Sequence, residues 1–350
     1  MNKKLLVALG ILGLPALAVV VYAQSPKATI NLYNWSNYIP PDILKKYETE
    51  TGVRVNLDVY DSNESLLAKL KAGATGYDII VPSDYMVKIM INEKILEKIS
   101  SSKLSNWKNV AAFSQKPPFD ATRDYSAPYM WGVTGFTYDS ARVSGGKLDD
   151  SWKSFFEPPE ALKGQIVALN DPQEMWNAAS IYLKTDQCTT DAKIGERILA
   201  LLEKQKPYLA AYNSDGTIER MQAGEVIMHQ QWNGAAHRTK EKLKTAVFVY
   251  PREGIPFWND NFAVPKTAKN KAEAIKFINW MLLPENIAIA SNFTGYNNSI
   301  TGSDKFFDAA MKIDPAVNTP SNLTNRFRPN KICSNASIAL RDKVWTRLKR

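Results

Sequence analysis

Apolar positions in the first third of the chain switch repeatedly between two periods. Residues 28–33 alternate in the strand period, and Pro41-Asp42 then opens a helix with Ile43, Leu44 and Tyr47 on one face and Gly52 just past its end. Val53, Val55, Leu57 and Val59 alternate again, predicting a second strand. Asp61-Ser62 caps a second helix striped by Leu66, Leu67 and Leu70, with Glu64 placed to complete a capping box. Tyr77-Asp78-Ile79-Ile80-Val81 follows as a short apolar strand that stops at Pro82. This β-α-β-α-β run is the signature of a parallel sheet covered by helices on both faces. Ligands of such sheets bind in crevices at the carboxyl ends of the strands. Trp35-Ser36-Asn37-Tyr38 follows the first strand and Ser83-Asp84-Tyr85 the third, so both point at the same crevice edge.

Residues 128–138 form a long β-rich stretch with two glycines, which suits a strand crossing between two domains. A second α/β set follows: a strand over 165–169, a helix opened by Asp171-Pro172 and carrying Glu174, and a strand at 226–228 leading into Trp232. A strand-like run over 257–264 then precedes a helix over 269–283, with Ala274, Phe277, Ile278 and Met281 on its apolar face, as if the chain returned to its first domain. No repeat of fixed period and no low-complexity linker interrupts this order.

The chain has 350 residues, 45% hydrophobic and 23% charged, an ordinary globular composition with length for two domains. Residues 1–23 read as a secretory signal: Lys3 and Lys4, an apolar run interrupted by Gly10, Gly13 and Pro15, and a small-residue end at Ala23 before Gln24. The competing reading is an uncleaved membrane anchor, since 5–23 is near spanning length. No Cys follows the run, so a lipid anchor is not indicated. The formal charge is +9, and Lys3 and Lys4 carry two of it, leaving +7 after cleavage. Basic residues alternate with Glu rather than forming the concentrated stripe a nucleic-acid surface requires. Cys188 and Cys333 are the two cysteines. An oxidising compartment permits a bridge between them, and sequence separation alone leaves two free thiols equally open.

The chemistry of an enzyme is hard to find. His229 and His237 are the two histidines, and nothing around them spells a metal site. His229, on a strand expected to be buried, reads as a core residue. Phosphate-loop, dinucleotide and nucleophile-elbow motifs do not occur, and Gly73-Ala74-Thr75-Gly76 reads as a helix-ending turn.

What does recur is an aromatic residue beside a carboxylate or amide: Trp35 to Tyr38, Asp171 to Glu174, Trp232-Asn233 and Trp258-Asn259-Asp260. Such a set suits a long organic cation. An ammonium group leaves water only where carboxylates and acceptors replace its hydration, and each Trp or Tyr face adds roughly 0.5 to 2 kcal/mol of cation–π attraction. The same rings offer flat apolar walls to methylenes between two ammonium groups. Taken singly, each tryptophan reads equally well as a core residue.

The chain resembles the periplasmic polyamine-binding proteins, the spermidine- and putrescine-binding components of bacterial ABC importers. The likeness runs from about Ile30 to the C-terminus. It is carried by Leu32-Tyr33-Asn34-Trp35-Ser36-Asn37-Tyr38-Ile39, Tyr60-Asp61-Ser62-Asn63-Glu64, Tyr77-Asp78-Ile79-Ile80-Val81-Pro82-Ser83, Pro128-Tyr129-Met130-Trp131-Gly132, Trp232-Asn233-Gly234, Asp260-Asn261-Phe262-Ala263-Val264-Pro265 and Ala268-Lys269-Asn270-Lys271.

The resemblance implies an α/β, bilobal periplasmic-binding-protein fold of type II: two sheet-and-helix domains joined by β-strand crossings, closing on a ligand between them. The first lobe would comprise 28–134 plus about 260–305, and the second 135–259 plus about 306–350. By this likeness the ligand contacts are Trp35, Ser36, Tyr38, Ser83, Tyr85, Asp171, Glu174, Ser214, Trp232, Trp258, Asp260 and Tyr296, with no cofactor and no metal. Asp260 would hold one ammonium group, Glu174 with Asp171 another, and Trp232 and Trp258 would sandwich the methylenes. Asn37 departs from an acidic residue common in the family, and Ala235 from an aspartate of putrescine-preferring members. Both losses favour spermidine. Near the C-terminus, where relatives can contribute an amide, Asn330 and Lys331 are both offered.

The implied function is a monomeric periplasmic protein that captures a polyamine, most readily spermidine, and delivers it to an inner-membrane ABC permease. The other readings are a sensor that reports polyamine to a membrane receptor, a binding protein for another small cation or an amino acid, and, from a different class, an enzyme acting on amines.

Overall fold

The computed structural model describes residues 26–350; the export segment expected over 1–23 lies outside the described residues. In chain order the strands are β1 (Ala28–Trp35), β2 (Val53–Tyr60), β3 (Ile79–Ile80), β4 (Ser126–Asp139), β5 (Ile166–Ala168), β6 (Leu209–Tyr212), β7 (Met228–Trp232), β8 (Ala246–Val249), β9 (Ile255–Ala263), β10 (Asn297–Asn298) and β11 (Phe327–Pro329). They follow the order β2-β1-β3-β9-β4-β7-β5-β6, with β8 and β10 also on β4 and β11 on β9. Two parallel triplets, β2-β1-β3 and β7-β5-β6, are thus joined through the antiparallel pair β9-β4.

Each triplet has its own core. Ile30, Leu32, Tyr129, Phe262 and Phe277 belong to one apolar cluster, and Phe136, Trp152, Phe155, Met175 and Leu199 to another. β4 gives Tyr129 and Met130 to the first and Phe136 and Tyr138 to the second, which is the behaviour of a strand that crosses. Trp258, numbered with the second lobe in the expected boundaries, packs in the first cluster. After β11 the chain crosses once more into the C-terminal helix Asn335–Leu348, whose Val344 and Leu348 join the second core. Cys188 and Cys333 are bridged, which settles the choice left open by the sequence and ties this last crossing to the loop after the helix Pro172–Tyr182.

Local chemistry explains most element boundaries. The helix Pro41–Thr51 begins on a proline and ends at Gly52, whose φ of 74° is the left-handed conformation glycine adopts without strain. In the helix Lys271–Met281 the buried residues are Ala274, Phe277, Ile278 and Met281, the stripe that the periodicity predicts. His229 is buried, donating from Nδ1 to the Gln230 carbonyl at 2.6 Å, and burial pushes its pKa down to about 3, as a neutral core residue requires.

The strand expected from the alternation over 53–59 forms as β2, and two other local expectations need correction. Leu57 and Val59 are 40% and 47% exposed, because β2 is the edge of the sheet and its second half is open to solvent. The third strand is only Ile79–Ile80: at its start the Asp78 N–H still donates to the Asn31 carbonyl, but the Asn31 N–H donates to the Asp78 carboxylate, which also accepts from the backbone N–H of Lys269 and Asn270. No capping box forms around Glu64: Ser62 is the cap and accepts from the N–H of Ser65, leaving Glu64 to turn elsewhere.

Candidate ligand-binding site

The carboxyl ends of the parallel strands converge on a cavity of about 910 Å³, counted with the open space at its mouth. β1 delivers Trp35, Ser36 and Tyr38, and the segment after β3 delivers Ser83 and Tyr85. Asp171 and Glu174 follow β5, Ser214 follows β6, and Trp232 ends β7. The antiparallel β9 adds Trp258 and Asp260, and Tyr296 arrives just beyond the helix Pro284–Thr294. All twelve residues singled out from the sequence therefore line one cavity.

Strand register sets the two tryptophans. Gly132 of β4 lies opposite Trp258, and Thr134 lies opposite Trp232. Residues two apart on a strand face the same side, so the indoles flank β4 on one face of the sheet. A Cβ at Gly132 would come to 2.5 Å from both the Trp258 ring and the side-chain Oδ1 of Asn233, so only glycine lets them pack there. Gly234 likewise admits the Tyr296 ring, which a Cβ would meet at 2.5 Å. Trp258 and Tyr38 both pack edge-on against Tyr296, with centroids at 5.3 and 5.5 Å, extending the aromatic wall.

At one part of this wall stands Asp260. Tyr38 donates its hydroxyl to Oδ2 at 2.7 Å and Ser83 donates to Oδ1 at 2.6 Å. Ser83 is itself held by Asn63, whose side chain donates to its Oγ and accepts from its N–H. Burial raises the Asp260 pKa to about 7 against these two hydrogen bonds, and the neighbouring carboxylates Asp84 and Asp171 push the same way.

Glu174 occupies another part. Its Oε1 accepts from Trp232 Nε1 and Thr134 Oγ1, each at 3.0 Å, while among the described residues its buried Oε2 has no partner. Asp171 caps the helix Pro172–Tyr182, accepting at Oδ1 from the N–H groups of Gln173 and Glu174. Its role is therefore structural at one oxygen at least. Burial raises the pKa of both carboxyls, and for Asp171 the nearby Glu174 adds to the rise. Several groups of one sign are thus held in one water-poor place.

Other contributors were not singled out from the sequence. Asp84 is buried, accepts from Asn330 Nδ2 at 2.9 Å, and has its pKa raised by burial to about 6. Asn330 lines the cavity and also accepts from Asn177, whereas Lys331 turns away to pair with Asp186 at 2.9 Å. The choice between the two is thereby made for the amide, and the lysine does not oppose a cation in the cavity. Asn37, at φ 55°, and Ala235 both line the cavity and bring no carboxylate to it. Tyr60, Asn63 and Gln173 also line the cavity, as do the acidic Asp61, Asp215 and Glu219 and the basic Arg238. No His, Cys, Asp and Glu grouping able to hold a metal ion occurs among the described residues.

The model of the bacterial extracellular solute-binding protein family matches residues 42–319. The chain belongs to that family. Its relatives include the spermidine/putrescine-binding periplasmic protein of Salmonella typhimurium, 33% identical over 338 residues that cover 96% of each chain. The putrescine-binding periplasmic protein of Escherichia coli K12 is 32% identical over 366 aligned positions, covering 100% of this chain and 98% of that one. Among solved structures, a chain from Listeria monocytogenes assigned to a spermidine/putrescine ABC transporter superposes with a TM-score of 0.86 at 29% identity, over 92% of this chain and 98% of that one. The fold is the bilobal periplasmic-binding-protein fold of type II, and the family is one of substrate-binding proteins rather than enzymes. No helix among the described residues is long and apolar enough to cross a membrane.

Proposed function

We propose that this protein captures a polyamine, spermidine in preference to putrescine, between its two lobes in the periplasm and delivers it to an inner-membrane ABC permease. One observation carries the reading. Asp260, Glu174 and Asp171 face a single cavity walled by Trp35, Trp232, Trp258 and Tyr296, and burial strains all three toward protonation. A ligand with separated ammonium groups and apolar methylenes relieves that strain and fits the rings between. An amino acid would bring a carboxylate of its own into the same acidic place. The relatives' names support the polyamine reading.

Spermidine is favoured because three carboxylates, Asp260, Asp171 and Glu174, line the cavity together with the tryptophan pair and because Asn37 and Ala235 leave two cavity positions uncharged. Closure follows from the same arrangement. Trp35, Ser83 and Asp260 belong with the first triplet of strands and Asp171, Glu174 and Ser214 with the second, so a bridging ligand favours the closed form by contacting both.

Native mass spectrometry of protein freshly exported by its bacterium tests the ligand directly. A bound species with the mass of spermidine supports the proposal, and a bound amino acid or sugar overturns it. Cross-linking in whole cells separates delivery from sensing: recovery of a permease supports delivery, and recovery of a signalling receptor in its place favours a sensor.

A further inference from the structure

Arg341 lies on the C-terminal helix Asn335–Leu348, which packs on the second core, yet its guanidinium reaches the first lobe. It is 5% exposed. Nη2 donates to Glu64 Oε1 at 3.1 Å, Nη1 donates to Gln173 Oε1, and Nε donates to Asp342 at 3.0 Å. Tyr85 donates its hydroxyl to the same Glu64 oxygen at 3.2 Å and presents its ring 6.0 Å from the guanidinium. Glu64 Oε2 is buried and, among the described residues, has no partner.

Tyr85 and Gln173 each line two cavities: the acidic, aromatic one described above and a second one behind it, whose wall also includes Arg341, Trp176 and Lys88. The pair is therefore a partition, and Arg341 holds it from the far side. We propose that Arg341 is a specificity-determining residue: a fixed cation that closes one end of the ligand cleft and excludes polyamines longer than a triamine. This rests on the polyamine reading of the main cavity.

The physical reason is that Arg341 already occupies the position a further ammonium group would take. It neutralises Glu64, it lies near Asp171, and its charge opposes any cation that advances past Tyr85. Without it, Glu64 and Asp171 would face an opened partition with the second cavity behind.

The test is calorimetric titration with spermidine and with the tetraamine spermine, on the unmodified protein and on Arg341→Ala, Arg341→Met and Arg341→Lys. Arg341→Met keeps the bulk without the charge, so a folded neutral variant is at hand should Arg341→Ala unfold. Both neutral variants are expected to raise spermine affinity relative to spermidine by about tenfold or more, and Arg341→Lys to keep the original preference. An unchanged ratio in a folded neutral variant overturns the inference, including the case where both affinities fall together, which is what a merely structural arginine would give. If the unmodified protein binds neither amine, the polyamine reading fails first and this inference with it; if it binds spermidine and the ratio does not move, only this inference fails.

Discussion

Tyr38 and Asp260 are 222 positions apart in the chain, yet the tyrosine hydroxyl donates to the carboxylate at 2.7 Å inside the cleft. The bond joins the carboxyl end of β1 to β9, and Ser83 after β3 completes it from the other oxygen. Three strands thus hold one carboxylate in a fixed direction before any ligand arrives, so a cation need not order it on binding.

Removing that charge should be costly. Asp260→Asn keeps the shape and both neighbours, and spermidine affinity is expected to fall by about 3 to 5 kcal/mol, because an ammonium group desolvated beside it loses its counter-charge. Calorimetry on the folded variant checks this, and binding as tight as in the unmodified protein would remove Asp260 from the site.

Binding should weaken in acid. Burial raises the pKa of the Asp260 carboxyl to about 7, and those of Asp171 and Glu174 are raised by the same cause. A cation must displace those protons, so affinity should fall as pH drops through about 7, with proton release visible as a buffer-dependent heat of binding.

Stability of the ligand-free protein should run the other way. A carboxyl whose folded pKa is raised binds its proton more tightly folded than unfolded. Its contribution is fully present below the unfolded value of about 4 and is lost as pH rises through about 7. Thermal unfolding with and without spermidine should therefore show a ligand-induced gain in Tm that widens steadily over that window. A gain independent of pH would contradict the buried-carboxylate site.

Trp232 should act through its nitrogen as well as its ring. Its N–H donates to Glu174 and holds that carboxyl's pKa down against burial. Trp232→Phe keeps an aromatic wall and deletes the donor, so the pH at which affinity is half lost should move upward. Trp258→Phe is the control: among the described residues the Trp258 Nε1 has no partner, so the midpoint should stay where it is.

The sequence made much of this arrangement legible. Trp35, Ser83, Asp171 and Trp232 each follow a strand that short-range periodicity identifies, and the rule for parallel sheets sends strand ends to a common crevice. Arg341 and Asp84 were not legible. Among the partners of Arg341, Glu64 lies 277 positions away and Gln173 168, and the carboxylate of Asp84 accepts from Asn330, 246 positions on. Burial, which raises their neighbours' pKa values, is likewise a property of assembled walls rather than of residue order. Glu64 misled for the complementary reason: its spacing from Asp61 matches a local capping pattern, while its contacts to Tyr85 and Arg341 are tertiary.

The disulfide should stabilise the crossing that carries Asn330. Cys188 and Cys333 close a loop of 145 positions, and replacing both by Ser should lower stability by about 2 to 5 kcal/mol, measured by urea unfolding. Spermidine affinity should fall as well, because Asn330 stands three residues before Cys333 and links Asp84 to Asn177.

The most direct measurement is calorimetric titration of the protein from Gln24 onward, refolded to strip any co-purified ligand, with spermidine and putrescine in parallel. Tight binding of spermidine with weak binding of putrescine is the expected result, and binding of neither would contradict the assignment of this cleft to polyamines.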